Sequence, residues 1–265
     1  MNVTAVKLVY FSPTGTTKRI VESIAEGMQV EVADRIDVTT PETATRSYDE
    51  FQGEPVIMGT SVYGGRVPPD AVKRLRRLTA VGTPAVLVVV YGNRDYEDAL
   101  LELTDLAAEQ GFWPVAAGAF IGKHQLIPIA DGRPDDADLK TAREFGRKIR
   151  EKLENTGTTG DVVPLPIPGN FPYIEKEPAQ TKFQTFPDSS VKLCTKCGTC
   201  ASLCPVGAIT VNDTVITDTG ACLLCCSCVN NCPTGARVMD SPQFRKIVES
   251  VRQHLPPRKD PVVFL

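Results

Sequence analysis

The sequence predicts an α/β protein, a doubly wound five-stranded parallel sheet followed by a small α+β unit organised around cysteine. Three observations carry this reading. Apolar runs of strand length alternate with helical patterns through the first 155 residues. All nine cysteines of the 265-residue chain fall in two look-alike stretches, CTKCGTCASLCPVGA (194–208) and CLLCCSCVNNCPTGA (222–236). Upstream of them, a proline-rich segment breaks every period. The chain therefore divides into a first domain over residues 1–160, a linker over 161–189, a cysteine module over 190–240, and a C-terminal helix and tail over 241–265.

The elements of the first domain follow in order. The N-terminus MNVTAVKLVYF has one lysine and a short alternating apolar run leading into a turn, so it reads as a first strand (5–11) and not as a signal peptide. TKRIVESIAEGM is the first helix, and ADRIDVTT (33–40) a weaker strand. EPVIMGT (54–60) and PAVLVVVY (84–91) follow, separated by the helical DAVKRLRRL, whose KRLRR (73–77) reads as a solvent face, with a docking patch as the alternative. EDALLELTDLAAEQG is the third helix, PVAAGAFIG (114–122) the fifth strand, and DDADLKTAREFGRKIREKLEN the closing helix. Trp113 reads as core. Runs apolar on both faces, joined by crossover helices, imply a parallel sheet covered on both sides. In such sheets ligands bind at the carboxyl ends of the strands, near the point where strand order reverses.

Composition limits the function. With 42% hydrophobic and 23% charged residues the chain is ordinary for a soluble domain, and a net charge of -3 gives no pull towards nucleic acid. No run approaches the roughly 20 apolar residues that a membrane span needs, so a cytoplasmic location is expected. In a reduced compartment, regularly spaced cysteines joined to a large cysteine-free domain point to metal and not to disulfides.

Each stretch reads Cys-x2-Cys-x2-Cys-x3-Cys-Pro, an internal repeat. Zinc sites usually pair two Cys-x2-Cys units across a longer loop, whereas three cysteines at intervals of three wrap one face of a cubane cluster. The fourth cysteine, followed by proline, lies too far round to complete the same cluster and serves the other one. This assigns one [4Fe-4S] cluster to Cys194, Cys197, Cys200 and Cys232, and a second to Cys222, Cys225, Cys228 and Cys204. Cys226 falls outside the pattern and reads as a small apolar filler. AITVNDTVITD (208–218) supplies short strands between the two runs.

The loops at the strand ends are the other place for chemistry. After the first strand, FSPTGTTKR crowds Ser12, Thr14, Thr16 and Thr17 around Gly15 at the start of a helix. Unpaired amides and hydroxyls there make an anion site suited to one phosphate monoester. An N-capping turn with extra threonines is the plain alternative. The pattern is neither a nucleoside triphosphate loop nor a dinucleotide fingerprint. GTSVYGGRVPPDA (59–71) and YGNRDYEDA (91–99) each combine glycine with tyrosine, as a flat amphipathic ring system requires.

Ser-x-Thr-Gly-x-Thr at 12–17 resembles the phosphate loop of flavodoxins, and the two later loops lie where flavodoxins hold the isoalloxazine ring. With the cysteine module, nearly the whole chain resembles a family of fusion proteins in which a flavodoxin-like domain precedes a bacterial-type two-cluster ferredoxin. The resemblance implies non-covalently bound FMN. Its phosphate would be held by Ser12, Thr14, Gly15, Thr16 and Thr17. Its ring would be lined by Thr60, Ser61, Val62, Tyr63, Gly64 and Gly65, and by Tyr91, Gly92, Asn93, Arg94 and Asp95. Pro13 removes one potential amide donor from the first loop.

Outside these motifs, His124 reads as a surface residue with a site role as the alternative, and His254 as solvated. Arg66 and Arg94 read either as cations near the flavin or as surface groups. The linker is expected to be stiff and to pack along the surface, and the apolar end of the tail to dock. Two functions are open. The chain relays electrons between the clusters, FMN and redox protein partners such as a ferredoxin, flavodoxin or reductase, which is the favoured reading. Alternatively, reduced FMN acts on a small organic substrate and the clusters only supply electrons.

Overall fold

The computed structural model describes residues 2–155, 164–175 and 185–265. Five parallel strands, β1 (Ala5–Phe11), β2 (Glu31–Asp37), β3 (Val56–Ser61), β4 (Thr83–Tyr91) and β5 (Phe112–Ile121), form the sheet expected from the sequence. They run in the order β2-β1-β3-β4-β5, so the order reverses between β1 and β3. The connecting helices are α1 (Thr16–Met28), α2 (Pro69–Leu75) and α3 (Ala99–Glu109), and α4 (Asp136–Asn155) follows β5.

Side-chain alternation decides which helix covers which face. In β4, Val86, Val88 and Val90 join α1 and α4 in one core, while Leu87, Val89 and Tyr91 join α2 and α3 in the other. Every residue of β4 is buried, as a central strand covered on both sides requires. The α1–α4 contact depends on two glycines. A Cβ on Gly27 would stand 1.9 Å from the Arg143 carbonyl oxygen, and one on Gly146 1.9 Å from that of Ile24.

The described part of the linker is tied to α3. The Asp98 carboxylate accepts from the Asn170 amide at 2.9 Å and the Ile174 amide at 2.6 Å, and Tyr173 donates to Asp105 at 2.6 Å. Leu165 and Ile167 pack against the α2–α3 core, although Phe171 is exposed. Residues 161–163 and 176–184 of the expected linker lie outside the described residues.

The cysteine module is built from two short antiparallel pairs, β6 (Asp188–Ser189) with β9 (Arg237–Val238) and β7 (Ile209–Val211) with β8 (Val215–Thr217). Two single-turn helices, α5 (Thr199–Ser202) and α6 (Ser227–Asn230), carry cysteines of the two motifs. The amphipathic α7 (Pro242–Gln253) follows, capped by Ser241, whose hydroxyl accepts from the Phe244 amide at 3.1 Å. Its Phe244, Ile247, Val248 and Val251 cover Ile127 and Ile129 in the loop after β5.

Two findings go beyond the sequence reading. The tail docks as β10 (Val262–Phe264), an antiparallel sixth strand on β5 with Val263 opposite Gly118. The KRLRR stretch is not simply a solvent face, because Arg74 is buried. Its guanidinium donates to the Val38 and Thr39 carbonyls and lies over the Phe11 ring, 5.6 Å from its centroid.

Candidate functional site

The loop between β1 and α1 turns on Gly15, whose φ of +80° places it in the left-handed region that favours glycine. Ser12 Oγ accepts from the Lys18 amide at 3.0 Å, and the Ser12 amide donates to Thr39 Oγ1 at 2.8 Å. Capping therefore comes from Ser12, upstream of the threonines. Among the described residues the amides of Thr14, Thr16 and Thr17 meet no protein acceptor. Among the same residues Thr17 Oγ1 is buried without a partner. Such an orphan costs about 1–3 kcal/mol unless something accepts from it. Free amides at a helix N-terminus beside an unpaired buried hydroxyl fit a phosphate group, whereas a plain capping turn would have used that hydroxyl itself.

The second and third loops meet beside it. The Val62 amide donates to the Val90 carbonyl at 3.0 Å, which joins the ends of β3 and β4. Thr60 is fully buried, and its hydroxyl donates to the Ser61 carbonyl at 3.3 Å. Tyr63 and Arg66 exchange backbone hydrogen bonds of 3.0 and 3.2 Å across the left-handed Gly64 and Gly65. A Cβ on Gly65 would stand 1.9 Å from the Glu97 carboxylate, so this turn accepts glycine alone. Arg66 does not face a ring site. It pairs with Glu102 through two 2.8 Å hydrogen bonds and stacks on Tyr173 in the linker.

In the loop after β4, Tyr91 packs tilted against Tyr96 with ring centroids 5.6 Å apart. Burial and the charge of Asp95 push its hydroxyl up to about 12. Gly92 is pressed by His124, which a Cβ there would meet at 2.7 Å. His124 is thus a largely enclosed residue and not a surface one. Its Nδ1 accepts from the Leu126 and Ile127 amides at 3.2 and 3.4 Å, which leaves the hydrogen on Nε2. Burial, then the charge of Arg94, lowers its pKa to about 4 and keeps the ring neutral. Asn93 serves the tail: Nδ2 donates to the Pro257 carbonyl at 2.9 Å, and Oδ1 accepts from the Lys259 amide at 2.9 Å. Its side chain is therefore committed away from a ring, while Arg94 and Asp95 are exposed.

The cysteines line two separate small cavities. Cys194, Cys197, Cys200 and Cys232 wall the first, together with Thr199, Pro233 and Arg237. Cys204, Cys222, Cys225 and Cys228 wall the second, with Cys226 beside them. The fourth cysteine of each motif thus stands in the cavity of the other motif. Among the described residues no group of three Cys, His, Asp or Glu converges as a single ion would require. The thiols surround a space, which suits a multi-iron cluster. Burial pushes Cys225 up to about 12, while Cys197 is exposed and lowered by hydrogen bonding to Thr199. Cys226 is a filler against Met239, with its sulfur 3.6 Å from the thioether.

Nothing in the sequence signals Arg237, and Arg74 is signalled only by the docking-patch alternative of the whole KRLRR stretch. Arg237 is buried, lines the first cavity, and reaches Cys228 of the second at 3.7 Å and Thr217 at 2.8 Å. Arg74 donates to the carbonyl of Pro205, the residue after Cys204, at 2.5 Å. Leu223, from the wall of the second cavity, packs against the α2–α3 core. The second cavity therefore sits against the sheet domain, at the loops that end β2 and β3.

Comparison with known proteins agrees with both halves. Residues 7–123 match the family model of the flavodoxin domain, and residues 190–210 match that of the 4Fe-4S binding domain. No curated protein matches the chain. Similar solved structures include a flavodoxin from the domain Archaea, at 18% identity over 57% of this chain and 99% of that one, with a TM-score of 0.38. Oxidised flavodoxin 1 from Bacillus cereus is 16% identical over 58% of this chain and 100% of its own, with a TM-score of 0.40.

Proposed function

From a chain that joins a flavodoxin domain to a 4Fe-4S binding domain, and so works in electron transfer, we propose an intramolecular relay. In this reading two [4Fe-4S] clusters exchange single electrons with a non-covalently bound FMN, and the molecule passes them to or from redox proteins. One observation carries it. The second cysteine cavity touches the flavodoxin-type domain through Arg74, Pro205 and Leu223, at the same sheet end as the three candidate flavin loops.

The residues supply positions and electrostatics. Thr14, Thr16 and Thr17 offer amides and the orphan Thr17 hydroxyl to the phosphate. The backbone of Thr60–Gly65 and Tyr91–Asp95 borders the ring, and His124 closes against Gly92 as a neutral group. Bound FMN would supply chemistry at the level of one or two electrons. The first cavity, with its exposed Cys197, opens outward and suits exchange with a partner protein, while the second faces inward. Holding all three centres in one chain makes transfer independent of encounter.

Protein purified without oxygen should carry about eight irons and eight acid-labile sulfides per chain, as two cubanes require, with one FMN. After rapid reduction of the clusters by a low-potential donor, the flavin bands should bleach at a rate independent of protein concentration. About four irons, or bleaching only in proportion to protein concentration, would overturn the relay.

A further inference from the structure

Arg237 opens β9, shortly after Cys232, and is only 3% exposed. The pairing of β9 with β6 sets Ser189 opposite it, and Nη1 donates to Ser189 Oγ at 3.0 Å. Nη2 donates to Thr217 Oγ1 at 2.8 Å and to Cys228 Sγ of the second motif at 3.7 Å. The same residue lines the first cavity, beside Cys194, Cys197, Cys200 and Cys232. One guanidinium therefore stands in the walls of both cavities. Its side-chain acceptors are two neutral hydroxyls and a cysteine sulfur, and among the described residues it forms no ion pair with a carboxylate. Its Nε is buried without an acceptor among the same residues. A cation taken out of water without an anionic partner costs far more than neutral hydrogen bonds return. A guanidinium buried in this way calls for negative charge beside it, and the two thiol-walled cavities are where that charge can stand.

We propose that Arg237 is the counter-ion shared by the occupants of both cysteine cavities, and that its charge favours their reduced forms. This rests on the two-cluster reading. Four thiolates leave a cubane with net negative charge, and reduction by one electron adds one more unit. Arg237 stabilises that added charge from a fixed position against the Cys228 sulfur and in the wall of the first cavity. At the effective dielectric of a buried site, a unit charge a few ångströms away changes such an equilibrium by about tenfold or more. The Nε hydrogen, unclaimed among the described residues, is the donor left for the first cavity. Arginine suits the place because it stays charged when buried, and because its planar fork reaches β6, β8 and a cysteine at once. Ser189 and Thr217 hold the fork in position without cancelling its charge.

The test compares Arg237→Lys, which keeps the charge, with Arg237→Met and Arg237→Gln, which remove it, each in the full chain purified without oxygen. Iron and sulfide are measured first. The one-electron waves of the clusters are then followed by electron paramagnetic resonance during potentiometric titration with a low-potential reductant. In the neutral variants both waves should move to lower potential, the reduced forms being disfavoured about tenfold or more, which is about 59 mV or more for a one-electron couple. The lysine variant should stay within about threefold of the parent. Neutral variants that lose iron while the lysine variant keeps about eight per chain also support the proposal, because methionine nearly matches lysine in shape and differs in charge. Parental potentials in the methionine and glutamine variants overturn it, and movement of one wave alone overturns the sharing. A lysine variant that loses iron or potential as the neutral ones do makes Arg237 a strut between β6 and β8, and overturns it as well. A parent protein with about four irons or none overturns the two-cluster reading itself, so the failures are told apart.

Discussion

Thr17 bears most directly on the proposed flavin site, because its hydroxyl is buried at the head of α1 with no partner among the described residues. Thr17→Val keeps the shape and removes the orphan. A hydrogen bond to a charged group is worth roughly 1.5–3 kcal/mol, so FMN affinity should fall roughly tenfold to a hundredfold. Riboflavin, which has no phosphate, should bind as before. Removing an unsatisfied group also predicts a flavin-free protein at least as heat-stable as the parent. Titrations with both flavins and thermal melts of the flavin-free forms check this, and equal losses for FMN and riboflavin would remove the loop from the phosphate site. Thr17 was legible from sequence because the loop is local: five residues, one glycine and a helix start define it. Arg74 was not. Its partners lie 35 residues upstream at Thr39 and 131 downstream at Pro205, and nothing in KRLRR distinguishes the buried arginine from its solvated neighbours.

The contrast recurs for whole elements. The strands and helices of the sheet domain were readable because period and length are properties of a contiguous segment. The grouping of the cysteines around two cavities was readable because their spacing repeats along the chain. The tail was harder: VVF has strand propensity, but its partner Gly118 is 145 residues away from Val263, and only the fold brings them together. That element has a consequence for the ring loop. Asn93 holds the tail at Pro257 and Lys259, and Arg133 donates to the Lys259 carbonyl at 2.8 Å while paired with buried Asp138. Asn93→Ala removes three bonds of a buried side chain, the third accepted by Oδ1 from Arg133 at 3.4 Å, and should destabilise the protein by roughly 1–3 kcal/mol. Because Asn93 also shapes the loop at a φ of +59°, FMN binding should weaken with it, whereas Asn93→Asp should keep the bonds from Lys259 and Arg133 and lose only the one to Pro257. Denaturant melts with FMN titration test this; an alanine variant of parental stability would mean that the tail is held by β10 pairing alone.

At the scale of the molecule, chain order and spatial order differ, and this alters how the proposed relay could be taken apart. The linker suggests two beads on a string, in which a cut would release two independent halves and turn electron transfer into an encounter process. The described contacts argue otherwise. After the cysteine module, α7 returns to cover Ile127 and Ile129, and β10 completes the sheet on β5. Residues 164–175 stay with α3 through Asp98 and Asp105. A protease site introduced within residues 176–184 therefore severs the backbone but leaves the C-terminal part anchored by its last 25 residues, and the nicked protein should elute as one species. Its flavin should still be reduced by its own clusters at the parental rate, unchanged over a hundredfold dilution, because the halves remain in effect one molecule. Removing residues 256–265 from the nicked protein takes away β10 and the Asn93 and Arg133 contacts, and only then should dissociation on dilution appear, with transfer slowing as the halves separate. Stopped-flow bleaching of the flavin bands at several concentrations, beside size-exclusion chromatography of the same samples, reads both quantities. If nicking alone made transfer second-order while the tail remained, the docking of α7 and β10 would be too weak to hold the relay together, and continuity of the linker would be what keeps the centres in register.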